Sequence, residues 1–295
     1  NFYVSIDSHN TDELIRGSKA GADYLLSIKS ETYHILENLD AYPVLIPSDN
    51  NLPEFYNLID RAIKDNLTFI ADPILDPVSY GFTKSLMRYV NLREKYPDIH
   101  IMIGIGNITE LTHADTTGIN MLMLGIVEEL KLNHILTTQV SRHCSTVIRE
   151  TDLARRIIHA ASENNITPKH INDGLMANHD HKDYPLCSDE LSEMQTKIKD
   201  KNYRIYVNDD GIHLFNKNIY KVFSDPFKFY EYLDLSDDTG HAFYLGVELA
   251  RAQIAFQLKK NYHQDEELTW GCLVDKEIDD MISEKKLGPT FKKTK

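Results

Sequence analysis

Six side chains able to do hydrogen-bond chemistry stand where apolar runs break into loops: Asp7, Ser27, Ser48, Asp72, Asn107 and Gln139. The sharpest instance is Phe69-Ile70-Ala71-Asp72-Pro73-Ile74-Leu75-Asp76-Pro77, a strand-type run that stops at an acid and continues into a second Asp-Pro. Asp-Pro is ordinary turn chemistry, but a polar group at the end of run after run is how parallel α/β proteins present a site. The set contains no Ser-His-Asp order, no metal-ligand cluster and no lysine able to form a Schiff base. Two acids with amides and hydroxyls suit a planar, nitrogen-rich heterocycle instead. A carboxylate accepts parallel N–H bonds from an amino-pyrimidinone edge, while Asn and Ser pair with the remaining ring donors and acceptors. Such a site orients a ligand and stabilises charge without a covalent intermediate.

The elements that must carry these groups alternate between strand and helix periodicity. Residues 3–6, 24–28, 44–46, 68–71, 99–105 and 134–140 read as strands. Residues 11–21, 31–39, 54–64, 83–94, 119–130 and 147–161 read as helices. Asn10 with Glu13 forms a capping box ahead of the first helix. Unbroken Val/Ile/Leu strands are buried on both faces, which is the mark of a parallel sheet covered by helices. No GxGxxG or GxxxxGK[ST] follows any strand, so a (β/α) barrel is favoured over a nucleotide-binding doubly wound sheet.

Beyond residue 166 the pattern changes. Residues 167–200 are polar and read as a linker or long loop, with the run Asn178-His179-Asp180-His181-Lys182-Asp183-Tyr184-Pro185 as a solvated turn rather than a metal site. Residues 201–295 read as a separate α+β domain. Its Asp210-Gly211 marks a hairpin between 203–207 and 212–215, and 241–260 forms one amphipathic helix. The charged segment 277–295 reads as a frayed tail.

Composition sets outer bounds. The chain has 295 residues and a formal net charge of −13, which argues against nucleic-acid or anionic-membrane surfaces as partners. No apolar run approaches the roughly 20 residues that span a bilayer. Three distant cysteines, Cys144, Cys187 and Cys272, make neither a disulfide framework nor a CxxC clip, so the cytoplasm is the expected compartment. Cys144 beside His143 is an incidental neighbour unless the fold aligns them.

Four stretches carry a resemblance. Val4-Ser5-Ile6-Asp7-Ser8 followed by Gly21-Ala22-Asp23-Tyr24-Leu25-Leu26-Ser27 resembles strands three and four of pterin-binding barrels, the dihydropteroate synthases and the methyltetrahydrofolate:corrinoid methyltransferases. Ile70-Ala71-Asp72-Pro73 is similar to their sixth strand, and Gly104-Ile105-Gly106-Asn107-Ile108-Thr109 to the seventh, in its methyltransferase form. The whole chain, including His241-Ala242-Phe243-Tyr244 and Gln264-Asp265-Glu266, is most similar to the dihydropteroate synthase-related proteins associated with tetrahydromethanopterin biosynthesis.

The resemblance implies a pterin-binding (β/α)8 barrel whose first two βα units are missing from this chain, so that the parent protein extends upstream. It places the pterin on Asp7, Ser27, Asp72 and Asn107, and a phosphate or second substrate on Lys84, Gln139, Arg142 and His143. The implied reaction joins a dihydropterin-methyl diphosphate to an arylamine, with Mg2+ accompanying the diphosphate and no covalently bound cofactor. Methyl transfer from a methyl-tetrahydropterin to a corrinoid, or a non-catalytic pterin-binding scaffold, are the alternatives, and a homodimer is the candidate assembly. Two departures stand out: Ser27 replaces the amide that the methyltransferases carry, and Ile108 replaces the basic residue that the synthases carry after strand seven.

Overall fold

The computed structural model describes residues 2–49, 51–235 and 238–274. It divides into two compact units between Asn172 and Asp173. Among the described residues, no helix is long and apolar enough to cross a membrane.

The first unit is a six-stranded, wholly parallel sheet whose spatial order is the chain order: β1 (Ser5–Asp7), β2 (Tyr24–Ile28), β3 (Tyr42–Leu45), β4 (Ile70–Ala71), β5 (His100–Gly104) and β6 (His134–Leu136). Doubly wound sheets reverse their order at a switch point; this one never does. Helices α1 (Thr11–Lys19), α2 (Leu52–Lys64), α3 (Phe82–Lys95), α4 (Gly106–Thr109), α5 (Thr116–Glu129) and α6 (Val147–Glu163) fill the connections. Asn10 caps α1 by accepting from the Asp12 N–H, but the expected capping box does not close, because Glu13 accepts from the Ser8 hydroxyl and the Asn10 N–H also bonds to Ser8; Asn51 caps α2 by accepting from Glu54. On α2 the buried Phe55, Leu58, Ile59 and Ala62 recur at helical spacing.

Side chains alternate between the two faces of each strand. Leu25, Leu45, Ile101 and Ile103 are fully buried. The alternate set Leu26, Val44, Ile70 and Met102 forms a second apolar layer, with Tyr24 packed against it. That second face is poorly covered: Tyr42 is 48% exposed and Leu136 38%.

Between β2 and β3 the 31–39 segment forms a 3-10 helix, Tyr33–Asn38, in place of the expected α-helix. The sixth strand stops at Leu136 rather than running to 140, because its partner β5 ends opposite it at Gly104; farther on, the Glu110 carboxylate takes the backbone N–H groups of Val140 (2.7 Å) and Ser141 (2.9 Å).

The second unit holds an antiparallel sheet of β7 (Arg204–Asn208), β8 (Gly211–Phe215) and β9 (Tyr220–Phe223). Helix α8 (Thr239–Leu258) packs on it through Tyr244, Leu245, Leu249 and Ala252. Residues 188–197, which composition suggested were part of a loop, form helix α7 (Ser188–Lys197), tied to the sheet by the Gln195 amide on the Asn216 carbonyl. The His/Asp run satisfies the end of α8: His179 Nδ1 meets the Leu258 carbonyl, and Asp180 accepts from the Asn261 N–H. No group of three or more metal-ligating side chains occurs among the described residues. The segment read as a frayed tail lies outside the described residues.

Candidate functional site at the strand ends

Parallel register carries the two acids to one face. Asp7 pairs with Leu26, and Asp72 follows two residues after Ile70, so both belong with the Leu26–Val44–Ile70–Met102 layer at the C-terminal ends of their strands. The Asp72 N–H bonds to the Leu45 carbonyl, which extends the β3–β4 ladder to the acid itself. Three strand spacings separate the two acids, about 14 Å along a flat sheet and less across a curved one.

Their surroundings differ. Asp7 is exposed, and its Oδ1 accepts from the Ser27 hydroxyl at 2.9 Å. Ser27 has φ +73°, at the point where the β2–β3 register slips, and this turn aims its hydroxyl at β1.

Asp72 is only 9% exposed. Its Oδ1 accepts two bonds, from the Ile74 N–H and from the Tyr89 hydroxyl of α3, each at 2.8 Å. Burial pushes its carboxyl up to about 6, against the opposing pull of those two bonds and of Arg88. Burial, and next the Asp72 charge, hold the Tyr89 phenol well above its ordinary value.

The loop after Asp72 is fixed from α3. Arg88 donates to the carbonyls of Pro73 and Ile74 and pairs with Asp76 at 2.9 Å. Ser85 donates to the Phe82 carbonyl and accepts from the Asp76 N–H. These clamps hold Ile74 at φ +63°, a backbone region that β-branched residues rarely enter.

Beside Asp72, the end of β5 leaves room. A Cβ built on Gly104 would meet nothing within 4 Å. Three residues on, Asn107 in α4 is exposed and donates its amide to the Leu75 carbonyl at 2.7 Å, stitching the β5 rim to the β4 loop. Asp72, the open side of Gly104 and Asn107 thus lie along adjacent strand ends.

The residues expected to take a phosphate are less gathered. Lys84 is exposed on the first turn of α3, and Gln139 and Arg142 are exposed beyond β6. His143 is partly buried, with Nε2 against the Thr109 carbonyl at 3.0 Å and its ring edge-on to His113. Cys144 is buried, and its thiol is pushed up by burial and by the Glu110 charge. The Ser141 hydroxyl, then the Val140 N–H, hold Glu110 down at about 2. Ser48 donates to Glu31 at 3.1 Å.

Tyr89 and Arg88 escaped the sequence reading, and Gly104 entered it only as part of the 104–109 stretch. The first two sit inside a helix pattern, where a Tyr reads as core and an Arg as solvated face; only the Arg-Tyr pair facing the Asp-Pro loop could have marked them.

The chain matches no family profile. It is 28% identical over 304 residues to an uncharacterized protein of Methanocaldococcus jannaschii, an alignment that takes in 90% of this chain. The chain spans 58% of the length of that relative.

Proposed function

We propose that this protein is a pterin-binding transferase resembling dihydropteroate synthase, which joins a dihydropterin-methyl diphosphate to an arylamine in folate or tetrahydromethanopterin biosynthesis. The observation that carries the reading is Asp72: a nearly buried carboxylate, anchored on one oxygen, beside the open space at Gly104 and the Asn107 rim. An acid in that setting accepts N–H bonds from a flat heterocycle lying over the strand ends. Asp7 with Ser27 supplies a second polar edge three strands away. Lys84, Gln139, Arg142 and His143 are the residues for a phosphate or second substrate, with Mg2+ arriving on the diphosphate.

The same reading takes the six strands as strands three to eight of a (β/α)8 barrel. Support comes from their unbroken sequential order, from the two edges β1 and β6, and from the uncovered tyrosine and leucine on the inner face. Two further βα units would pair both edges and cover that face. The part of the Methanocaldococcus relative outside the alignment is long enough to hold such units.

Asn107 favours a second reading, transfer of a methyl group from a methyl-tetrahydropterin to a corrinoid protein, because its exposed side chain at the β5 rim keeps an amide oxygen able to pair with a ring N–H. Turnover separates the two in the full-length protein. Pyrophosphate release from a dihydropterin-methyl diphosphate supports the synthase, and a cobalamin spectral change with methyl-pterin supports the methyltransferase. Pterin binding with neither leaves a scaffold, and no pterin binding at all overturns the proposal.

A further inference from the structure

Both hydrogen bonds to the Asp72 carboxylate end on the same oxygen. The Ile74 N–H belongs to the loop, whereas the Tyr89 hydroxyl comes from α3, a separate element. The Gly104 backbone also acts on the Tyr89 phenol, so β5, α3 and β4 converge around one side chain. Tyr89 is wholly buried and its ring has no access to a ligand. A carboxylate oxygen offers two lone pairs, and here both are taken on Oδ1.

We propose that Tyr89 is a positioning residue: by filling Oδ1 together with Ile74 it fixes the plane of the Asp72 carboxylate, and it leaves Oδ2 as the oxygen that meets a ligand. Resting on the reading of Asp72 as a ligand-binding acid, this makes the acid a one-oxygen acceptor rather than a two-oxygen fork. A ligand edge with two parallel donors must then place both on Oδ2, or give the second to another group. The charged group acting on the acid from α3 is Arg88, itself paired with Asp76 of the loop, and the Tyr89 phenol is the other titratable group in contact. A donor lost from Oδ1 favours the protonated acid, so the phenol also keeps Asp72 ionised near neutral pH.

The test uses the full-length protein labelled with 13C at aspartate carboxyls, with the Asp72 signal assigned by its loss in Asp72→Asn. In the wild type the signal titrates near 6, and in Tyr89→Phe its midpoint rises by about half a pH unit or more. Global 3-fluorotyrosine labelling, which strengthens the phenolic donor and leaves every side chain in place, lowers the midpoint. Dihydropterin affinity in Tyr89→Phe falls on the acid side of the profile and recovers to within about threefold of wild type at pH 8.5, where the acid is ionised in both. An unchanged midpoint in both altered proteins overturns the inference. So does an affinity loss in Tyr89→Phe that is equal at every pH, which is what a merely structural tyrosine would give. A midpoint that moves in a protein that binds no pterin upholds the role of Tyr89 and removes the pterin reading instead.

Discussion

The two acids at the sheet's C-terminal rim occupy opposite kinds of environment. Asp7, on edge strand β1, is exposed and held by one hydroxyl from a residue in a left-handed turn. Asp72, between β3 and β5, is nearly buried, takes two donors on one oxygen, and begins a loop clamped by Arg88 and Ser85. The lesson is that preorganisation is concentrated at the middle of the sheet, where neighbours on both sides can brace a charge. An edge strand has half those neighbours. Its acid is therefore adjustable.

This contrast can be sharpened by substitution. The largest stability effect is expected from Arg88→Ala, which strands two loop carbonyls and the Asp76 carboxylate in a place where the side chains are only 10% and 17% exposed. Losing a buried, multiply bonded ion pair costs about 3–5 kcal/mol, and chemical denaturation should read that loss. A loss under 1 kcal/mol would show that the loop is held by other means.

The pH dependence of stability comes next. An acid raised from 3.8 to about 6 binds its proton more tightly in the folded state, so it opposes folding increasingly as pH rises through that interval. Stability attributable to Asp72 should fall by about 2 kcal/mol between pH 4 and pH 7, and Asp72→Asn should abolish that slope. Glu110 has the opposite sign. Held down at about 2, it contributes stability that is present above 4.5 and is lost as pH falls toward 2. Denaturation at stepped pH in the two variants, Asp72→Asn and Glu110→Gln, separates the slopes; the same sign in both would contradict the burial argument.

The smallest effect is expected at the edge. Ser27→Ala removes one exposed hydrogen bond and should cost about 0.5–1 kcal/mol. Ser27→Gly loses the same bond but relieves the positive φ, and should come out close to neutral. A cost above about 2 kcal/mol for either would mean that β1 is braced as firmly as β4.

Much of this was legible in the residues. Apolar runs at βα spacing located all six strands, and the Asp72-Pro73 break located the loop that the fold clamps. The hairpin at Asp210-Gly211 and the capping role of Asn10 were equally plain, because each rests on local backbone chemistry. What escaped depends on distant partners. Helix α7 buries Leu191 in an otherwise polar run, so no apolar stripe announces it. β9 is half-buried throughout and lacks alternation. β6 ends early because its neighbour β5 stops at Gly104 and turns into α4, while Glu110 takes the N–H groups of Val140 and Ser141. Arg88 and Tyr89 have the spacing of any helix, and their hold on Asp72 exists only once the loop folds back over α3.

One measurement reaches the centre of the account: a fluorescence titration of the full-length protein with a dihydropterin, run beside Asp72→Asn and Asp7→Asn at pH 7.5. Losing a charged acceptor from a nearly buried site should weaken binding at least about tenfold in Asp72→Asn, and the exposed Asp7→Asn should lose distinctly less. Equal affinity in wild type and Asp72→Asn would contradict the account.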